Sequence, residues 1–355
     1  MIQKKKYRDW DHLKDHQGNC FRVVGSLHPH SGVHVQWQPD EFSSETPPFP
    51  SSQFFQSANF NPPPIMEIPY DEIQSVISPL ETFQAILFIV EQGSFEQRRQ
   101  LSVKERETIE AGLSISHKYQ VDIHAIGVTD GVIIPEQPNT SEIHLVVYGH
   151  ANAKKIVAAP FRLSSTGSGL RSLMKIEIFP EAEQLALNTG QSLEDCFHML
   201  YYRYDQFYLH NRPIHLSFVP NFTDIAHFRS YDKNSIVEST TFSVKITATI
   251  SEDAWGCFYP YFYEIADVTI LEHNPISKSP NFPHAPSITR LVILDHEVFG
   301  YYQKGDLIEA MGSLQYCKNL LRSTTSTQSA TYQVILGGPE SYEGEYVLPQ
   351  NERKE

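Results

Sequence analysis

The segment from Ile126 to Gly149, IGVTDGVIIPEQPNTSEIHLVVYG, limits what this chain can fold into more than any other. An apolar start, an Asp-Gly turn, a polar spacer and a second apolar run predict strand, tight turn and strand. Glu142 and His144 stand two residues apart on the second strand, and residues i and i+2 of a strand project from the same face. Two metal ligands on one strand face is the arrangement used by two-metal phosphoryl-transfer sites. Here a histidine stands where that chemistry would use a second carboxylate.

The chain has 355 residues, which predicts two to three domains and ample core. Its 18 Tyr and 21 Phe favour extensive β structure. The formal net charge of −14 works against a uniform polynucleotide-binding surface, so a nucleic-acid partner requires a local basic patch. Cys20, Cys196, Cys257 and Cys317 are widely spaced, with no CxxC pair, and read as free thiols in a reducing, cytoplasmic setting. The start, MIQKKKYRDWDH, carries no apolar signal core, and the run Ala85–Val90 is too short to span a bilayer; no membrane association is expected.

The hydrophobic pattern divides the chain into three parts. Residues 1–68 predict a small N-terminal β unit, with strands at Cys20–Ser26, Val33–Trp37 and Ile65–Pro69. Within it, 40–64 is a Pro-, Ser- and Phe-rich irregular segment. Residues 69–222 predict an α/β core. Tyr70 to Gln120 reads as helical, with Pro79 as a helix start, an apolar stripe at Phe83, Ile86, Leu87 and Val90, and a capping box at Ser102 and Glu105. Asn152–Ala159 reads as a short helix. Leu173–Phe179 reads as a strand or a helix end, and Ser192–Tyr208 as an aromatic-rich helix. Residues 223–355 predict a β-rich domain, a barrel or sandwich of short strands separated by Pro, Gly, Asn and Ser. The fold class is therefore α+β.

The order of helix pair, Ile126-Gly127-Val128-Thr129, tight turn, Ser141-Glu142-Ile143-His144 and Leu145 to Gly149 resembles the polymerase-beta-like nucleotidyltransferase fold. In particular it is similar to a group of predicted archaeal-type nucleotidyltransferases. That group reads Gly-Val-Thr-Gly-Ser, then Ser-Asp-Ile-Asp, then an apolar run ending Val-Tyr-Gly. It also opens with a strand pair containing His-Pro, as Val24 to Pro29 does here, and ends in a β-rich domain. The resemblance implies a nucleotidyltransferase-like core with a phosphate-binding turn at Thr129, Asp130 and Gly131 and metal ligands at Glu142 and His144. A third ligand is implied on a later strand, with Glu177 as the acidic candidate and His215 as the alternative.

The departures from that group lie at the chemistry. Asp130 replaces a serine hydroxyl donor and adds charge; one like charge at about 4 Å and an effective dielectric of about 20 costs roughly 4 kcal/mol. Imidazole at His144 is a poor Mg²⁺ ligand and suits transition metals. The expectation is a degenerate, non-catalytic member of the fold that binds a nucleotide or nucleic acid. One alternative is an active enzyme in which Glu142, His144 and Glu177 hold Mn or another transition metal; cofactors are then Mg or Mn, and otherwise none. The other is a scaffold for a protein partner, contacting it through 40–64 and the aromatic C-terminal region.

Four further patterns each admit two readings. HPHSGVH (His28 to His34) is a transition-metal cluster or a solvated turn. Lys154, Lys155 and Arg162 meet a phosphate or are solvated helix charges. SSTGSGLR (Ser164 to Arg171) cradles an anion or is a connector lacking the lysine of a P-loop. The aromatic runs YYRYDQFY (Tyr201 to Tyr208) and WGCFYPYFY (Trp255 to Tyr263) are base-stacking platforms or core.

Overall fold

A computed structural model describes residues 7–26, 28, 31–38, 65–129, 132–133, 142–159, 169–189, 192–201, 203–225, 235–275, 287–294, 302–319, 331–337 and 345–349. Two compact units emerge. The first holds the described residues up to Leu173 together with Tyr204–Asn221; the second holds Met174–Arg203 and the described residues from Phe222 onward.

The first unit contains two five-stranded sheets. One is antiparallel and is built from β1 (His12–Asp15), β2 (Cys20–Val23), β3 (Gly32–Gln38), β4 (Ile65–Pro69) and β5 (Ile73–Ile77), in the order β4-β3-β2-β1-β5. Alternation puts Phe21 and Val23, Val33 and Val35, and Met66 and Ile68 on one face, where they join Tyr7 and Leu13 in a single core cluster. The sequence HLKD of β1 has no strand signature, yet β1 pairs with β2 on one side and β5 on the other. The expected helix does not begin at Tyr70: Ile73–Ile77 is strand β5, and helix α1 starts at Pro79. The physical reason is local, since the β-branched Ile73, Val76 and Ile77 fit a pleated surface and proline disfavours helical backbone at the residue before it.

Helix α1 (Pro79–Gln92) buries Pro79, Phe83, Ile86 and Leu87 and keeps its polar residues outside. Short α2 (Phe95–Gln100) and then α3 (Val103–Tyr119) follow, each opening on a reciprocal capping box. For α3 the Glu105 N–H donates to Ser102 Oγ at 3.1 Å, and the Ser102 N–H donates to Glu105 Oε2 at 2.7 Å. Ser102→Ala removes one of these bonds and is expected to cost about 1 kcal/mol in urea unfolding; an unchanged midpoint would show that the cap contributes nothing.

The second sheet comprises β6 (Ile126–Val128), β7 (Ile143–Tyr148), β8 (Leu170–Ser172), β9 (Gln206–Leu209) and β10 (Arg212–Val219), ordered β6-β7-β10-β9-β8. Strands β7 and β10 run parallel, and every other pairing in the sheet is antiparallel. Helix α4 (His150–Val157) leaves β7 through Gly149, whose φ of 92° suits glycine alone. Helix α1 packs on β6 and α3 on β7. The alternation of β7 separates Ile143, Leu145 and Val147 on one face from His144, Val146 and Tyr148 on the other.

The second unit carries α5 (Lys175–Thr189), α6 (Leu193–Tyr201) and the strands from 235 onward. Leu173–Phe179 thus resolves as the start of a helix. The aromatic-rich helix is shorter than its sequence suggested. It stops at Tyr201, and Gln206–Leu209 is strand β9, where Phe207 and Leu209 alternate inward.

Strands β11 (Ser235–Trp255), β12 (Tyr261–Pro275), β13 (Ile288–Ile293), β14 (Leu307–Asn319) and β15 (Thr331–Leu336) close into a five-stranded barrel, β11-β12-β13-β15-β14 and back to β11. Strand β16 (Tyr346–Pro349) adds to β14. Among the described residues of this sheet, β13 and β15 are the parallel neighbours and the other pairings are antiparallel. A first strand that pairs with both the second and the fourth, with the third parallel to the fifth, is the connectivity of an OB-type barrel. The 21-residue β11 serves both neighbours because register shifts bend it along its length. Val244, Ile246, Ala248, Ile250, Leu291, Leu314 and Val334 fill the interior. Each of the five strands has two neighbours, although β12 meets β13 only over Tyr261–Glu264.

All four cysteines are free thiols. Among the described residues no helix is long and apolar enough to cross a membrane.

Candidate functional site

Thr129 extends the β6–β7 ladder: its N–H donates to the His144 carbonyl at 3.1 Å. The Thr129 side chain is buried, and its hydroxyl lies 2.6 Å from His12 Nε2. His12 Nδ1 lies 3.1 Å from Gln38 Oε1. An amide oxygen only accepts, so Nδ1–H donates to Gln38; in the neutral ring Nε2 then accepts the Thr129 hydroxyl proton. Asp130 and Gly131, the rest of the expected phosphate turn, lie outside the described residues.

His144 is the second residue of β7, whereas Glu142 lies in the bend immediately before the strand. His215 stands directly beside His144 in the parallel ladder, and Ser217 lies two residues further along β10. Two separate pairs form there. His144 Nε2 meets Ser217 Oγ at 2.8 Å, and His215 Nε2 meets Glu142 Oε2 at 3.4 Å. The imidazole rings of His144 and His215 are 6.4 Å apart. The Glu142–His215 pair is solvent-facing, so its contribution to stability is small.

Glu177 sits in the first turn of α5, in the second unit, where Oε2 accepts the Met174 N–H at 2.7 Å. A carboxylate near a helix N-terminus satisfies unpaired N–H groups, which accounts for Glu177 without metal. Of the two residues considered for the third position, His215 is the one on the strand next to β7. The resulting donor set of one carboxylate and two imidazoles does not fit Mg²⁺, and among the described residues no group of three His, Cys, Asp or Glu side chains is placed to hold a metal ion.

The face that carries His144, Val146 and Tyr148 is covered by the stretch Arg8-Asp9-Trp10-Asp11-His12. Trp10 and Leu80 pack on the cluster of Val146, Tyr148 and Val219. The Trp10 ring meets the His144 ring at 4.2 Å, nearly edge-on, and the Arg22 guanidinium lies 4.0 Å from the Trp10 ring centroid. The Arg8 guanidinium lies 4.6 Å from the Tyr148 ring centroid. A tight turn holds this stretch: the Asp11 N–H donates to the Arg8 carbonyl at 3.1 Å, and the Arg8 N–H to Asp11 Oδ2 at 2.9 Å. Asp9 Oδ1 accepts the Gly25 N–H at 2.9 Å. Burial pushes both carboxyls up to about 6, with Arg22 opposing the rise at Asp9 and the Arg8 N–H and guanidinium opposing it at Asp11. Burial also drives the Tyr148 phenol far above its ordinary range.

The remaining sequence candidates disperse. His28 is largely shielded from solvent and accepts the His34 N–H at 3.3 Å; desolvation and the neighbouring His34 push its imidazole down to about 4. His30 lies outside the described residues, as do Arg162 and all of 164–168. Lys155 Nζ donates to the Gln120 carbonyl at 2.6 Å. Of the aromatic runs, Tyr204, Phe207, Phe258, Tyr261 and Tyr263 are buried in the core, and Tyr201, Tyr208, Trp255, Tyr259 and Phe262 are half-buried.

Sequence reasoning missed Trp10, His12, Arg22 and Ser217. The run RDWDH carries an unusual density of charge and aromaticity, which was the one available signal. Two of its partners, Thr129 and His144, lie more than a hundred residues away in the chain. No family model matches this chain, and neither a curated protein nor a solved structure matches it.

Proposed function

We propose that this chain is a nucleotidyltransferase-like protein that has lost metal-dependent transfer and retains a binding role for a nucleotide or nucleic acid. One observation carries the loss of transfer. The two side chains that would face a triphosphate and its metal, Thr129 and His144, are already engaged by His12 and Ser217. The resemblance of residues 126–149 to the nucleotidyltransferase pattern supports the fold-level part of the reading. So does the order of β6 antiparallel to β7 and β7 parallel to β10, which brings residues of two strands to one face. One carboxylate and two imidazoles do not make a Mg²⁺ site, which agrees with the loss of transfer.

Calorimetry with ATP, GTP, CTP and UTP, each with Mg²⁺ and then Mn²⁺, tests the reading together with an incorporation assay. The expected outcome is no incorporation with either metal, and any nucleotide binding independent of Glu142. Binding that requires Mn²⁺, disappears in Glu142→Ala and is accompanied by incorporation would overturn it in favour of a working enzyme.

A second reading, a scaffold for a protein partner, draws on the exposed apolar side chains Met174, Ile176, Phe179 and Leu187 at or within α5.

A further inference from the structure

Trp10 adopts φ of 69°. The left-handed region is costly for a bulky L-residue, because Cβ crowds the carbonyl that follows, so something must hold Trp10 there. Part of the restraint is backbone: the Trp10 N–H donates to the Val23 carbonyl at 3.1 Å. The rest is the indole, which sits against both His144 and Arg22. Backbone strain kept in place by stacking contacts marks positions where a conformational exchange does work. The indole is only partly buried, so it can leave its seat without passing through the core.

The seat has a definite chemistry. An imidazole and a guanidinium bracket a planar aromatic bicycle, and guanidinium stacking on planar rings is favourable. Arg8 and Arg22 place two cations in this small region, beside the buried carboxyls of Asp9 and Asp11. A planar heteroaromatic ring that carries a phosphate matches it better than any neutral apolar ligand. We infer that the Trp10 seat beside His144 and Arg22 is a nucleobase site, with the Trp10 indole as its exchangeable occupant, so that a nucleoside monophosphate binds by displacing the indole. This rests on the nucleotide-binding part of the proposed function and specifies where the base sits.

The test uses AMP and GMP on the full chain with no divalent metal, which separates it from the metal-dependent incorporation assay. Trp10→Ala is expected to bind one of the two at least tenfold more tightly than the parent protein, because the competing indole is gone. Equal affinity in the two proteins, or binding by neither, overturns the proposal. Because Trp10→Ala could disturb the fold, a second measurement keeps Trp10 in place. In a Trp37→Phe/Trp255→Phe background, where Trp10 is the sole tryptophan, saturating nucleotide is expected to raise acrylamide quenching of Trp10 at least twofold. Unchanged quenching at saturation overturns the exchange. Should the incorporation assay show active transfer while both of these results are positive, the base site stands and only the non-catalytic reading falls.

Discussion

Gly127→Val is expected to destabilise the first unit by roughly 3–5 kcal/mol. A Cβ at Gly127 would lie 2.8 Å from both the Leu80 nitrogen and the Pro79 carbonyl carbon. These are backbone atoms of the α1 N-terminus, so no rotamer change relieves the clash. Either the helix moves off β6 or β6 moves away from Val146, its partner across the ladder. Both routes uncover the cluster of Val146, Tyr148 and Val219 on which Leu80 and Trp10 pack. Gly127→Ala should lie part-way, at about 1–3 kcal/mol. Gly18→Ala is the control for the steric argument, since at φ of 89° its Cβ meets nothing within 4 Å and its cost is conformational only. Urea unfolding followed by tryptophan fluorescence measures all three; a Gly127→Val midpoint equal to that of Gly18→Ala would remove the claim of close helix–strand contact.

The second large effect is a dependence of stability on pH that arises from Asp9 and Asp11. Burial raises both carboxyls from the ordinary value of 3.8 to about 6. A group whose folded value is raised holds more protons in the native state than in the unfolded state between those limits. Its contribution is complete below about pH 4 and is lost as pH climbs through about 6. A tenfold change in proton affinity is worth about 1.4 kcal/mol, so the pair is expected to withdraw on the order of 3–6 kcal/mol between about pH 4 and about pH 7. The double variant Asp9→Asn/Asp11→Asn stays neutral throughout. Relative to it, the parent protein should become progressively less stable over that interval. Parallel stability curves for the two proteins across the same range would show that these carboxyls do not ionise at a cost. The direction is opposite to that of a salt-bridged carboxylate, because the nearby Arg22 and Arg8 do not offset the burial.

Much of the local structure is legible in the amino-acid sequence because it depends on neighbours in the chain. Pro79 opens α1, the Ser102–Glu105 box opens α3, and alternation marks β7 and the barrel strands. The Glu142–His144 spacing reads as one strand face, but the strand begins only at Ile143 and leaves Glu142 in the bend before it. The failures have a common cause. HLKD carries no strand pattern and becomes β1 only because β2 and β5 flank it. The period around Tyr201–Tyr208 suits either a helix or a strand, and pairing with β10 and β8 makes its second half a strand.

By itself, then, the sequence determined the α+β class and the position of most elements. Those follow from covalent order and periodicity. Tertiary structure alone decided that the C-terminal strands close into a barrel, that His215 stands beside His144, that Trp10 packs on His144 and that His12 reaches Thr129. Strand pairing and packing between residues as distant as the 117 positions that separate His12 from Thr129 leave no periodic trace in a single chain. The free energy that selects them belongs to surfaces created only when the sheets have formed.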